Sequence, residues 1–171
     1  SGLEGGAFKI GYATDGQNGG RIEKTLDRQS TGIWTAEFDI APDSSATSSA
    51  YITENARFLL FGTDNSIKVD TDNAMEMRYV DGQMYHCTAA YDLDNDIMEV
   101  TVENTTTGEK ETIRDTSPKA ILNEIGVMQF QTWGHNDPAR GVMIDNVTVY
   151  MGKKDQEEPE PTPSPDPERV D

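Results

Sequence analysis

Apolar and polar residues alternate along several short stretches of this chain. Ile33-Trp34-Thr35-Ala36-Glu37-Phe38-Asp39-Ile40 keeps a period of two throughout, and so do Met98–Glu103 and Met143–Tyr150. A period of two sends successive side chains to opposite faces, so each stretch predicts a half-buried β-strand. Further strands are predicted over Ala7–Tyr12, Ala56–Phe61, Ala74–Val80, Tyr85–Tyr91 and Gly126–Trp133. Between them lie residues that favour turns: Asn18-Gly19-Gly20, Asp81-Gly82, Asp94-Asn95 and Thr107-Gly108. One short helix is predicted, with Ser117 as its cap, Pro118 in its first position and Gly126 at its end. Many short strands with at most one short helix predict an all-β fold, an antiparallel sandwich or barrel.

Composition narrows the classes. The 171 residues suit about one domain. Lys and Arg number 14 against 31 Asp and Glu, a net charge of −17. Nucleic-acid binders need a basic footprint to release counterions, so no nucleic-acid partner is expected. The same balance disfavours an anionic membrane surface, and no apolar run nears the roughly 18 residues of a membrane span. Cys87 is the single cysteine, which excludes an intramolecular disulfide and multi-cysteine zinc sites. Its alternating apolar surroundings predict a buried small hydrophobe. Ser1-Gly2-Leu3-Glu4 is not a signal sequence; the leader of a secreted protein would have been removed from this chain or left out of it.

The charge is unevenly spread. From Lys153 the chain reads KKDQEEPEPTPSPDPERVD, with five of the eight prolines and almost nothing apolar. Such a run cannot bury a core and is expected to be extended and disordered. The division is therefore residues 1–152 as a β-sandwich module and 153–171 as a linker to a further module. The linker carries seven acids and three bases, net −4, so −17 + 4 leaves −13 on the sandwich.

Three segments in order carry a family likeness. Thr31–Ile40 resembles an early strand of concanavalin-A-like (laminin-G-like) jelly rolls. Asp81-Gly82-Gln83-Met84-Tyr85-His86-Cys87-Thr88-Ala89-Ala90-Tyr91-Asp92 resembles their central strand, with Met84 where a Trp is usual. Gly141-Val142-Met143-Ile144-Asp145-Asn146-Val147-Thr148-Val149-Tyr150 resembles their closing strand. The resemblance implies a β-sandwich jelly roll, of the kind used as a bacterial carbohydrate-binding module. It also implies that Asp145, on the closing strand, is a candidate ligand of a structural Ca²⁺; a matching N-terminal ligand is only guessed at Glu4.

Candidate chemistry follows from strand phase. In Val127–Trp133, Met128 and Phe130 are expected to face the core, leaving Gln129, Gln131 and Trp133 on the other face. Amides both donate to and accept from hydroxyls, and an indole stacks on the C–H face of a pyranose. With Met75 and Met77 inward, Arg78 faces out; with Cys87 inward, His86 faces out. Arg57 is added to form a concave outer face of Arg57, Arg78, His86, Gln129, Gln131 and Trp133. His135 and Arg140 are expected at its rim. Trp34 shares a stripe with Ala36, Phe38 and Ile40 and reads as core. Glu37 and Asp39 share a face, but the third carboxylate of a Glu-x-Asp-x-x-Glu glycosidase pattern is missing, Pro42 standing there. Asp92-Leu93-Asp94-Asn95-Asp96 reads as a hairpin turn rather than a calcium loop, because Ile97 replaces the needed glycine.

The expected function is a non-catalytic carbohydrate-binding module. It would be secreted from a bacterium, be monomeric, and target an appended catalytic or other module to plant cell-wall polysaccharide. Glucans and hemicelluloses come first and pectin stays open, since Arg57, Arg78 and Arg140 offer a local positive patch. The alternatives are a structural or protein-interaction jelly roll of a cell-surface protein, and a glycan hydrolase or lyase.

Overall fold

The computed structural model describes residues 8–11, 19–53, 56–133 and 140–153. Among them are twelve strands: β1 (Phe8–Gly11), β2 (Arg21–Gln29), β3 (Ile33–Ala41), β4 (Thr47–Thr53), β5 (Ala56–Phe61), β6 (Ser66–Val69), β7 (Asn73–Arg78), β8 (Tyr85–Asp92), β9 (Ile97–Asn104), β10 (Lys110–Asp115), β11 (Ile125–Trp133) and β12 (Gly141–Met151). They form two six-stranded sheets, β1-β12-β3-β8-β9-β10 (sheet I) and β2-β11-β4-β5-β6-β7 (sheet II). Every pairing is antiparallel. Every strand predicted from alternation is present, with ends moved by a residue or two. The four that alternation missed are β2, β4, β6 and β10.

The core lies between the sheets and follows the predicted stripes. Trp34, Ala36, Phe38 and Ile40 of β3 are buried, as are Cys87, Ala89 and Tyr91 of β8 and Met75 and Met77 of β7. Edge-on aromatic contacts tie the sheets together. Phe38 meets Phe130 at 5.0 Å, and Trp34 meets Phe58 at 6.4 Å, in T-shaped geometry. Cys87 is fully enclosed; burial, and then the charge of Asp39, push its thiol well above the ordinary range.

The predicted helix is absent. Residues 116–124 run as bends and irregular chain. Their backbone donors are taken by other elements: the Lys119 N–H donates to Asp70 Oδ2 at 2.8 Å, and the Leu122 N–H to the Tyr91 hydroxyl at 3.1 Å. Pro118 and Leu122 are buried by this docking. Tertiary acceptors outbid the i→i−4 ladder of a short helix, whose nucleation is unfavourable alone. The Asp92–Asp96 turn is the predicted hairpin between β8 and β9. Asp92 Oδ1 accepts the N–H groups of Asp94 and Asn95 at 3.0 and 3.1 Å, and Asp96 takes a φ of 54°.

The two mouths of the sandwich differ. At one, β7 and β10 lie together, and the Glu111 carboxylate accepts the N–H groups of Glu76 (2.9 Å) and Met77 (2.8 Å), covering donors of the β7 edge. Asn73 adds a bond to Asp115 at 2.8 Å. At the other mouth, between β2 and β12, a cavity of about 650 Å³ is lined by Ile22, Leu26, Trp34, Met128, Phe130 and Val149 among others.

Candidate functional site

The strand β11 has the predicted phase. Met128 and Phe130 face the core, and Gln129, Gln131 and Trp133 share the outer side of sheet II. Pairing supplies the rest of that surface. Gln129 is opposite Glu23 of β2 and Tyr51 of β4, and Tyr51 is in turn opposite Arg57 of β5. Gln131 is opposite Arg21 and Ser49; Ser49 is opposite Leu60, and Leu60 is opposite Lys68 of β6. The Arg57 guanidinium lies 5.2 Å from the centre of the Trp133 ring, a cation–π contact that reaches across the intervening strand β4. Trp133, Gln131 and Arg57 are all half-buried.

Gln129 plays a different part from the one expected. It is 3% exposed and does not present its amide to solvent. With the amide oriented by its hydrogen bonds, its oxygen accepts from Arg21 Nε and Nη1 at 3.1 and 3.2 Å. Gln129 thus holds Arg21 over the sheet, where Arg21 also lies 3.9 Å from Glu23. Arg21 and Lys68 were missed from the sequence because β2 and β6 were missed.

The end of β11 is gripped by the segment leading into β2. The Gly20 N–H donates to Thr132 Oγ1 at 3.2 Å, and the Thr132 N–H donates to the Gly20 carbonyl at 2.9 Å. A Cβ on Gly19 would overlap the Thr132 carbonyl, so only glycine lets the chain pass this close to Trp133.

The other predicted site residues are dispersed. Arg78 is outward on sheet II but on edge strand β7, four strand spacings from β11, or roughly 19 Å. One of its nitrogens donates to the Asp64 carbonyl at 2.8 Å. His86 is not on this surface at all. The chain crosses between sheets after β7, so β8 pairs with β3 and β9, and outward on β8 means the opposite outer face of the molecule. There His86 is held between two carboxylates, Nδ1 to Asp39 at 2.7 Å and Nε2 to Glu37 at 3.1 Å. Arg140 is taken up in an ion-pair clasp rather than left at a rim. It reaches Asp43 (Nη2 to Oδ1, 2.9 Å) and Asp81 (Nη2 to Oδ2, 2.6 Å). His135 lies outside the described residues.

The clasp joins four chain segments, because Asp81 also accepts from the Ser44 N–H (3.0 Å), the Ser44 hydroxyl (2.5 Å) and Asn65 Nδ2 (3.2 Å). Burial works to raise the Asp81 carboxyl, but the hydrogen bonds from Ser44 and Arg140 outweigh it and hold the group below its ordinary value. A depressed carboxyl stabilises the fold above its unfolded value, and that contribution is lost as pH falls through the lower folded value. Asp81→Asn is therefore expected to lower the melting temperature at pH 7. The gap to the parent should shrink as both are melted at successively lower pH through the carboxylate range.

Asp145 sits opposite Asp39 on the outer face of sheet I. Its Oδ1 accepts the Asn146 N–H at 2.7 Å, and Asn146, at a φ of 51°, forms the irregularity in the β12–β3 register and donates to Asp39 Oδ2 at 2.6 Å. Calcium takes six to eight oxygens at about 2.3–2.6 Å. Among the described residues no three acidic, histidine or cysteine side chains converge as a cation would need, so those residues alone do not fit the ion. Glu4, the guessed partner, lies outside the described residues.

No protein-family model matches the chain, and no curated protein matches it in sequence. Solved structures do. The chain is similar to lectin I-B4 from Griffonia simplicifolia in a metal-free form, with a TM-score of 0.60 at 10% identity over 86% of this chain and 88% of that one. It is similar to the peanut lectin solved with a nonamer peptide, at 0.55 and 12% over 89% and 90%. It is also similar to the basic winged bean lectin solved with Tn-antigen, at 0.54 and 12% over 84% of each chain. These neighbours are legume lectins with the concanavalin-A-like jelly-roll sandwich, and this chain has that fold. Identities this low establish the fold alone.

Proposed function

We propose that this chain is a non-catalytic carbohydrate-binding module that binds glycan on the outer face of sheet II. The observation that carries the reading is the joining of Trp133, Gln131, Arg57 and Arg21 across β11, β5 and β2 on one face. An indole fixed by a guanidinium offers an apolar surface whose ordering cost is met before ligand arrives. Gln131 and Arg21 beside it supply the donors and acceptors that hydroxyl groups require. The fold supports the reading, since the Griffonia and winged bean neighbours are lectins and the latter is described with Tn-antigen.

The wider setting belongs to the same proposal. The module would be part of a secreted bacterial protein and would act as a monomer. It would hold an appended enzyme on plant cell-wall polysaccharide through the Pro-rich segment after Lys153, which lies outside the described residues. Calcium at Asp145 would need further oxygens from outside the described residues, and would brace the closing strand rather than touch sugar.

Affinity electrophoresis against a panel of soluble glucans, xylans, mannans and pectins, with and without EDTA, tests these points. The parent is expected to be retarded by at least one glycan. Trp133→Ala should weaken that retardation by about tenfold or more, as loss of a central aromatic anchor does. Unchanged retardation in Trp133→Ala would remove the site, and a parent unmoved by every glycan would favour a structural or protein-interaction module. Retardation that disappears in EDTA would tie the ion to binding.

A further inference from the structure

The charge of this acidic chain is divided between its two outer faces. On sheet II, over the rows around β11, the outward positions carry Arg21, Arg57, Lys68 and Arg78 against Glu23 and Glu76. Glu23 lies beside Arg21, and no ion pair within 4 Å holds Lys68 among the described residues. Two further exposed acids flank the face: Asp64 beside Arg78, whose carboxyl is held low first by its hydrogen bonds from Ser66, and Asp72, which pairs with Lys119 and also feels the charge of Lys68. On sheet I the outward positions carry Glu37, Asp39, Asp92, Glu99, Glu103 and Asp145 against Lys110, Arg114 and the register position of Lys9, with Lys153 paired to Glu99. One face of a molecule of net charge −17 is thus locally cationic.

Distance decides whether a ligand on that face feels the cations or the whole molecule. Packed sheets stand about 10 Å apart, and outward side chains on both sides add to that. The screening length at physiological salt is about 8 Å. A glycan chain running across sheet II from Trp133 toward β7 therefore lies beyond one screening length from the acidic face and passes within it of Arg57, Lys68 and Arg78 in turn. Arginine guanidinium suits a carboxylate or sulfate through two parallel N–H bonds.

We infer that the ligand of the sheet II face is an anionic glycan, one that carries carboxylate or sulfate groups along its chain. The inference rests on the glycan-binding reading above and adds the ligand's charge. Neutral glucans and hemicelluloses, placed first by the sequence, become the weaker ligands. Arg57, against Trp133, would take the acid group of the sugar stacked nearest the indole. Lys68 and Arg78 would meet groups further along the chain toward β7.

The test compares polygalacturonate, its methyl-esterified form, chondroitin sulfate and a neutral β-glucan in affinity electrophoresis at about 0.15 M NaCl. Polygalacturonate is expected to retard the protein at least about tenfold more strongly than the ester, which has the same backbone without the charge. Added retardation by chondroitin sulfate would extend the class to sulfated chains; its absence would confine the class to carboxylates. Lys68→Gln combined with Arg78→Gln should weaken polygalacturonate retention by roughly threefold to tenfold. Lys110→Gln with Arg114→Gln removes the same charge from the opposite face and should leave retention within about twofold. Equal retention by ester and free acid, or equal loss from the two double variants, would overturn the inference while leaving glycan binding intact. Retention by none of these glycans, nor by any on the wider panel, would overturn both.

Discussion

Phe61→Ala is expected to cost about 3–5 kcal/mol, as much as Trp34→Ala, although the indole is the larger group. Both side chains are almost wholly buried, at 0% and 1% exposed. Phe61 packs against Tyr79 at 5.6 Å and Tyr85 at 6.3 Å, among residues fixed by hydrogen bonds. The Tyr79 hydroxyl donates to the Gly62 carbonyl at 2.5 Å, and the Tyr85 hydroxyl accepts from the Val80 N–H at 2.8 Å. A void left by Phe61 is sealed among groups that cannot move without breaking those bonds, so its cavity term is retained in full. Trp34 lines the 650 Å³ cavity at the β2–β12 mouth. Its removal enlarges a space that already exists, and β2, an edge strand with most of its residues exposed, is free to settle inward. Urea unfolding at neutral pH measures both changes. A Trp34→Ala loss more than about 2 kcal/mol larger than that of Phe61→Ala would mean the open mouth relaxes no better than the sealed core.

That contrast shows what the sequence could and could not reveal. β3, β8, β9, β11 and β12 were legible because each sends one face into the core, and burial writes an alternating pattern. β2 and β10 were not. Each is an outer strand of its sheet with few apolar residues: Arg21–Gln29 has only Ile22 and Leu26, and Lys110–Asp115 only Ile113. Their hydrogen-bond ladders to β11 and β9 hold them in place, and a ladder leaves no mark on side-chain type. Residues Thr47, Ser48 and Ser49 of β4 are small and polar, and β6 is only four residues long. The cap and proline at Ser117 and Pro118 were real local signals, overruled by Asp70 and the Tyr91 hydroxyl from distant parts of the chain.

The candidate site was legible to the same depth. The phase of Gln129, Gln131 and Trp133 came from alternation within one strand and stands. Grouping them with His86 required knowing which sheet each strand joins, and strand phase carries no such information. His86 and Trp133 both point outward, in opposite directions. Arg21 and Lys68 could have been added only once β2 and β6 were paired. The arginines singled out from the sequence have since parted: Arg57 stands over the indole, Arg78 at a distant edge, and Arg140 in a clasp with Asp43 and Asp81.

His86→Leu is expected to destabilise the fold by about 1–3 kcal/mol, with Glu37 and Asp39 as the cause. Both carboxylates are mostly withdrawn from water, at 13% and 19% side-chain exposure, while the imidazole between them keeps 33%. A neutral imidazole has one N–H to give, and both of its nitrogens face a carboxylate oxygen. The ring is thus the group the two carboxylates share, with Nδ1 toward Asp39 and Nε2 toward Glu37. Leucine fills the space but leaves two like charges two residues apart on one strand without their shared donor. Asn146 still donates to Asp39, which keeps part of that carboxylate's pairing. His86→Gln keeps a donor for one carboxylate and should cost less than half as much. Adding Glu37→Gln and Asp39→Asn to His86→Leu removes the two charges that have lost their shared donor and should restore most of the lost stability, because the penalty lies in those charges rather than in the missing contact. Thermal melts of these proteins, with Glu37→Gln/Asp39→Asn alone as the fourth corner of the cycle, in one buffer make the comparison. If the triple variant is no more stable than His86→Leu alone, His86 acts by packing, and the carboxylates owe it nothing.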